Sequence, residues 1–295
     1  MKFILRLFPI LLLFACQTAD KNQTILQKKS DLSRSNLNGP ITELRQDYYK
    51  AEEKEGKIVQ GEKSGNDENN FLIRYNEQGD MIEKNAFYRD GTLLYKLTFS
   101  YDKEGKLTEE NRFNSDGTTN YKKKYTYSGN IREVTSYKAD GEMYSKDTVF
   151  TDQNGNDIAI RNYNQNNTLT LKVDYKYDSK RNVIEKIHNG EGTYTVINST
   201  YDEKGNSLQD SLYSHLFSAA FTDTTRVKRS LKYDTQNNTT EIVYFYPKAK
   251  YTNDQKTSTT ETFKYVYDEK NNWISKTCFE DGKPTYLALR KIIYK

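Results

Sequence analysis

Tyrosine recurs along this chain at a nearly fixed interval, and that spacing limits the fold more tightly than anything else in the sequence. Tyr75, Tyr101, Tyr127, Tyr177, Tyr201, Tyr233, Tyr267 and Tyr294 stand on one ladder, with Thr151 on the vacant rung, in steps of 26, 26, 24, 26, 24, 32, 34 and 27 residues. An aspartate follows at Asp102, Asp152, Asp178, Asp202, Asp234 and Asp268, and a Gly or Asn stands a few places further on: Gly79, Gly105, Gly129, Gly155, Asn182, Gly205, Asn238 and Asn272. This is turn chemistry, because Asp can accept a hydrogen bond from its own backbone two residues on, and Gly or Asn tolerates the left-handed conformation that closes the loop. A second corner comes about sixteen residues after most rungs, at Asp90-Gly91, Asp116-Gly117, Asp140-Gly141, Asn166-Asn167 and Asp281-Gly282. Asp-Gly between alternating runs is a hairpin signal, so each repeat reads as two strands and two turns.

Alternation within the runs agrees. In Tyr95-Lys96-Leu97-Thr98-Phe99-Ser100-Tyr101 the apolar members share one face, as do Leu171, Val173, Tyr175 and Tyr177 against Lys172, Asp174 and Lys176. The expected fold is all-β: a single long antiparallel sheet of consecutive hairpins, about sixteen strands and roughly 75 Å long if open, which strand twist would curve or coil. With 25 Tyr and 13 Phe against one Trp, its packed face should be thin and aromatic. Aromatic content also argues against disorder after residue 70.

The chain opens with Met1, Lys2 and Arg6, followed by an uncharged run from Leu7 to Ala15. This is the basic start and short apolar core of an export signal, too short to span a bilayer stably. Its end, Leu13-Phe14-Ala15-Cys16, resembles the lipobox of bacterial lipoproteins. The resemblance implies removal of residues 1–15, acylation of Cys16 and attachment to a cell-envelope membrane, the outer membrane, through lipid. An ordinary cleaved signal with an incidental cysteine is the other reading. Residues 16–40, polar and rich in Lys, Ser and Asn, read as a tether. Residues 41–295 form the sheet domain, with 41–74 and 267–295 as its two end units around the repeats at 75–266. Once residues 1–15 are gone the net charge falls from +4 to +2, and no basic patch argues for nucleic acid.

The strings YDKEGK, YDSKRN, YDEKGN, YDTQNN and YDEKNN resemble the YD repeats of the RHS family over about residues 70–295. That resemblance implies a spiralling β-sheet, with Asn272-Trp273 and Arg290–Tyr294 as its closing unit. The toxin-carrying members end in a self-cleaving core segment, which has no counterpart here, so a shorter YD-repeat lipoprotein is the nearer expectation.

For function, the informative feature is the pair of lengthened steps after Tyr201 and Tyr233, both falling on the same sheet edge. The first insertion runs from Leu212 to Phe221 and could form a short helical turn; the second runs from about Tyr246 to Lys256. Insertions on one edge of a repeat array are often its binding surface. Tyr213, His215, Phe217, Phe221, Tyr246 and Tyr251 are therefore candidate contacts for a glycan or an envelope protein. A local plug over the apolar face is the competing reading. A structural or immunity-type partner of a secreted toxin is the alternative function.

Catalysis is not expected. The two histidines, His188 and His215, lie on different repeats, Cys278 reads as a small apolar filler, and no nucleophile elbow accompanies any Ser-His-Asp set. No cofactor or metal is expected either. Asp152, Asn154, Asn156 and Asp157 alternate like calcium ligands, but Tyr163 occupies the twelfth place where a bidentate carboxylate belongs. Turn formation accounts for them.

Overall fold

The Tyr-Asp pairs do turn the chain. In the computed structural model, residues 30–65, 69–217, 222–246 and 257–295 are described, side chains at 216–217 and 222–225 excepted. The leader with Cys16, as well as Phe221, Tyr251 and the Phe217 side chain, lies outside what is described. At Asp102 the backbone N–H donates to the Lys106 carbonyl (2.9 Å), while Oδ1 accepts from the N–H of Glu104 (3.0 Å) and of Lys106 (2.7 Å). Gly105 supplies the positive φ of 75°. The same five-residue corner is built at Asp152, Asp178, Asp202, Asp234 and Asp268, and on Asn76 where the sequence lacks the aspartate. Asn167, Arg181, Asn237 and Asn271 take the positive-φ position where glycine is missing, and the arginine does so without the local hydrogen bonding that helps asparagine there.

Among the described residues, nineteen strands and a one-turn helix, α1 (Asp31–Arg34), result. Strands β1 (Ile41–Lys54), β2 (Lys57–Lys63), β3 (Phe71–Tyr75), β4 (Met81–Phe87), β5 (Leu93–Tyr101) and β6 (Leu107–Asn114) are followed by β7 (Thr119–Ser128), β8 (Ile131–Lys138), β9 (Met143–Thr151) and β10 (Asp157–Asn164). Then come β11 (Leu169–Tyr177), β12 (Val183–Gly190), β13 (Thr193–Tyr201), β14 (Ser207–Phe217) and β15 (Thr222–Tyr233). Last are β16 (Thr239–Phe245), β17 (Ser258–Tyr267), β18 (Trp273–Glu280) and β19 (Lys283–Tyr294). Every pairing is antiparallel and, from β3 onward, runs to the next strand in sequence. The stretch 212–217 that could have formed a helical turn instead extends β14, paired on both edges.

The sheet is not open. β1 pairs with β3 on one edge and with β19 on the other, Leu44 facing Ile73 and Ile292. β2 pairs only with the far end of β1, so the other eighteen strands form a closed ring. The two end units of the array thus meet at the seam. Eighteen strands at normal spacing and tilt make a ring roughly 35 Å across, wide enough to leave a lumen. The closure replaces the expected open or merely curved sheet, and its physical reason is edge satisfaction: a ring leaves no row of unpaired N–H and C=O groups.

Along β1 the partner changes from β3 to β2, and Asn70, with no solvent exposure, fills the break. Its Oδ1 accepts from the Tyr48 N–H (2.9 Å) and its Nδ2 donates to the Ser64 carbonyl (2.8 Å), replacing the missing ladder bonds. The rung tyrosines hold neighbouring hairpins together in a similar way. The hydroxyls of Tyr101, Tyr127, Tyr177, Tyr201 and Tyr233 donate to the carbonyls of Met81, Leu107, Asp157, Val183 and Ser207, at 2.6–2.9 Å. Each acceptor is the first residue of an even-numbered strand. At Tyr75, Tyr101, Tyr177, Tyr201, Tyr233 and Tyr267 the register slips at the rung, a β-bulge that re-aims the ring. Thr151, too short to reach so far, donates instead to the Asn130 carbonyl (3.0 Å).

Candidate functional site

Strand alternation sorts the side chains into two unlike walls. The outward set carries cross-strand ion pairs around the ring: Arg74 with Glu43, Lys96 with Glu83, Lys122 with Glu109, Lys146 with Glu133, Arg161 with Asp174, Lys176 with Glu185, and Lys232 with Glu241. The inward set is mixed: aromatic and aliphatic residues stand among charged ones such as Glu110, Lys123, Arg132, Asp147, Lys186, Lys276 and Arg290. It includes Leu97, Phe99 and Tyr101 on β5, Tyr121, Tyr125 and Tyr127 on β7, Val149 on β9, Ile160 on β10, and Leu171, Val173 and Tyr175 on β11. Only a few of these are fully buried, among them Val134, Val149, Val173, Phe263 and Cys278. Tyr127 on the inner wall retains 39% of its surface, as expected where a wall lines a space instead of packing on an opposite layer.

One mouth is bridged. α1 and the segment to Gly39 cross the end where the Tyr-Asp corners lie. Leu32 and Leu37 pack on Ile41, Leu44, Ile73 and Tyr75, and Leu32 N–H donates to the Gly79 carbonyl (3.0 Å). Further along, Asn36 Nδ2 donates to the Gln236 carbonyl (2.6 Å), and Asn272 Nδ2 donates to the Asn38 carbonyl (2.8 Å). Part of the stretch expected to be a tether is therefore a strap tied to three corners.

Beneath the strap a cavity of about 990 Å³ runs along the inner wall from β4 to β12. Its floor is Val134, Val149, Ile160, Leu171 and Val173, bordered by Phe99, Tyr125, Tyr127 and Tyr175. Charged groups edge it. Arg132 pairs with Asp157 (2.8 Å), Lys123 with Glu110 (3.2 Å), and Arg34 with Asp31, whose other oxygen accepts from the Met81 N–H (2.8 Å). Asp147 accepts from Asn162 (2.6 Å). His188 lies at the far edge; burial, then Lys186, lowers its pKa and keeps it neutral near pH 7.

A second aromatic group lines the seam. Tyr48 stacks on Tyr286 (4.4 Å between centroids), Lys276 Nζ sits 4.2 Å over the Phe263 ring, and Arg290 lies 3.4 Å over Trp273 while donating to Gln46. Burial lowers the pKa of both cations, Arg290 to about 9, and raises Tyr48 and Tyr75 to about 12. Cys278 is buried here and its thiol is pushed up, chiefly by burial.

Of the residues singled out from the long insertions, only Tyr213, His215 and Tyr246 have described side chains, and these three do not share one surface. Thr195 and Ser214 share a hydrogen bond on the inner wall (2.9 Å), so Tyr213 and His215, one residue to either side, face outward. Tyr213 lies under Arg226 there. Tyr246 instead stacks with Tyr244, an inner-wall residue whose hydroxyl reaches Glu261. The lumen was missed. Its signal lies in the sequence as phase: along β11, Leu171, Val173, Tyr175 and Tyr177 share one parity and Lys172, Asp174 and Lys176 take the other, although Lys123 on β7 and Lys186 on β12 stand on the inner parity. Among the described residues, no group of three or more His, Cys, Asp or Glu stands close enough to hold a metal ion.

One protein family, described only as "Uncharacterised protein", matches residues 48–153. No curated protein matches the chain. Among solved structures, the chain is similar to a porin-like protein from Bacteroides uniformis at TM-score 0.44 and 8% identity, covering 87% of this chain and 98% of that one. It is also similar to a porin-like protein from Bacteroides vulgatus at TM-score 0.36 and 10% identity, covering 68% and 94%. The expected membership among YD-repeat proteins of the RHS kind is overturned: the family that matches is a different one, and the hairpins close into an eighteen-strand barrel instead of spiralling as a sheet.

Proposed function

We propose that this protein is a cell-envelope binding barrel, held to a membrane through lipid on Cys16, whose lumen takes up small amphipathic molecules. One observation carries the reading: the outer wall does not have the apolar surface of a barrel embedded in lipid. A charged side chain facing acyl chains costs about 2–4 kcal/mol at mid-depth, and the outer wall carries charge on strand after strand, whereas the inner wall sets half-exposed aromatic and aliphatic patches between charged groups. Such a wall belongs in water, and exposed apolar surface of this extent is characteristic of ligand sites. The wall has no need of catalytic groups for this task.

The test uses the purified full chain and the polarity-sensitive dye N-phenyl-1-naphthylamine. Saturable fluorescence enhancement that a lumen substitution such as Val173→Asp weakens, with the sheet spectrum retained, supports the reading. A folded protein that leaves the dye dark refutes it. In cells, Cys16→Ser should move the protein out of the membrane fraction, and unchanged fractionation would count against the lipid anchor.

A further inference from the structure

The cavity under the strap is asymmetric in charge, and this suggests what it selects. Arg34, Lys123 and Arg132 each have a carboxylate partner, but Lys106 and Lys186 form no ion pair among the described residues. Each stands over a tyrosine face instead, Lys106 Nζ 5.4 Å from the Tyr127 ring centroid and Lys186 Nζ 5.4 Å from that of Tyr175. Beside Lys186, His188 presents a buried Nε2 with no hydrogen-bond partner. Among the described residues, Asp147 is the one lining carboxylate left without a cation, and its oxygen already accepts from Asn162. Two unpaired ammonium groups thus border an aliphatic floor that is only partly covered.

We propose, resting on the lumen reading above, that this cavity selects a single-chain amphiphile with an anionic head, its tail on Val134, Val149 and Val173 and its head on Lys106 and Lys186. Charge complementarity argues for this occupant over a neutral or cationic one. An anionic oxygen accepts charge-assisted hydrogen bonds from lysines that no protein carboxylate occupies, and these are stronger than neutral ones. A cationic head would meet like charge. A cavity of this size also falls in the range that holds a molecule with one alkyl chain.

The test is calorimetric titration of the full chain, below micelle-forming concentrations, with dodecanoate, dodecyl phosphate, dodecanol and dodecyltrimethylammonium. Dodecanoate or dodecyl phosphate should bind at least about ten-fold more tightly than dodecanol. The stronger of the two tells a fatty-acid head from a phosphate head. Lys106→Met with Lys186→Met should bring the anions down to the dodecanol value and leave dodecanol unchanged, and the Lys→Arg pair should restore the difference. Dodecanol binding as tightly as the anions, or an anion preference that survives the double Met variant, overturns this proposal and leaves the lumen reading standing. Failure of all four to bind overturns both.

Discussion

If the ring is closed, residues at the seam that are far apart in an open sheet can be cross-linked. Tyr49 on β1 faces Leu287 on β19 across the seam, both on the outer wall. Directly opposite residues of an antiparallel pair lie about 4.5–5.5 Å apart at Cα, within the roughly 7 Å limit for a disulfide. Were the eighteen strands laid out flat at about 4.8 Å each, the same two positions would be roughly 80 Å apart. Tyr49→Cys with Leu287→Cys, made in a Cys16→Ser background with the buried Cys278 left in place, should therefore oxidise to one intramolecular disulfide. The bond encloses most of the chain, so loop-closure entropy predicts up to about 5 kcal/mol of added stability. Faster migration on a non-reducing gel, a 49–287 linked peptide in the mass spectrum and a urea midpoint shifted upward only without reductant would confirm it. Free thiols at both positions after mild oxidation, with the β spectrum intact, would refute closure. Tyr49→Cys paired with Val196→Cys, on a strand far round the ring, serves as the control that should stay reduced.

Two further outcomes follow from the same structure. Asn70→Ala should cost about 2–4 kcal/mol in urea unfolding, since it strands a buried N–H and a buried C=O at the break in β1; Asn111→Ala, whose Nδ2 donates only to Glu109 on the outer wall, should cost about 0.5 kcal/mol or less, and equal losses would contradict the role given to Asn70. In alkali, the tyrosines that burial raises to about 12, Tyr48, Tyr75 and Tyr177, stay protonated in the folded chain while the unfolded chain ionises near 10. Their contribution is therefore complete below about pH 10 and lost as pH rises towards 12; ultraviolet titration should show their ionisation coinciding with loss of the sheet spectrum, and full ionisation at an ordinary midpoint with the sheet retained would contradict their burial.

The hairpins were legible from sequence because their causes are local. Asp102, Gly105 and the alternation from Tyr95 to Tyr101 lie within a few residues of one another, and turn chemistry with period-two phase decides the matter there. Closure was not legible, since it depends on Leu44 meeting Ile292, and no short-range rule couples residues so distant. Resemblance misled for a related reason: the Tyr-Asp-Gly corner is a solution to making a bulged turn, and this barrel uses it to send the hydroxyls of five rung tyrosines to the start of an adjacent strand. The apolar run Leu212–Phe217 was not legible as a strand, because it reads as part of a loop until its partners on β13 and β15 are known. The lumen escaped because alternation distinguishes two faces without saying which of them is concave.

The strap has a directional consequence. Ser30, the first described residue, and Lys295, whose N–H donates to the Pro40 carbonyl, both lie at the Tyr-Asp end. Anything attached ahead of residue 30 therefore grips the barrel at the mouth that the strap bridges. The rim of Asp-Gly corners at Gly91, Gly117 and Gly141 then points away from the attachment point, so that a cup hung from a membrane would open towards the surrounding fluid.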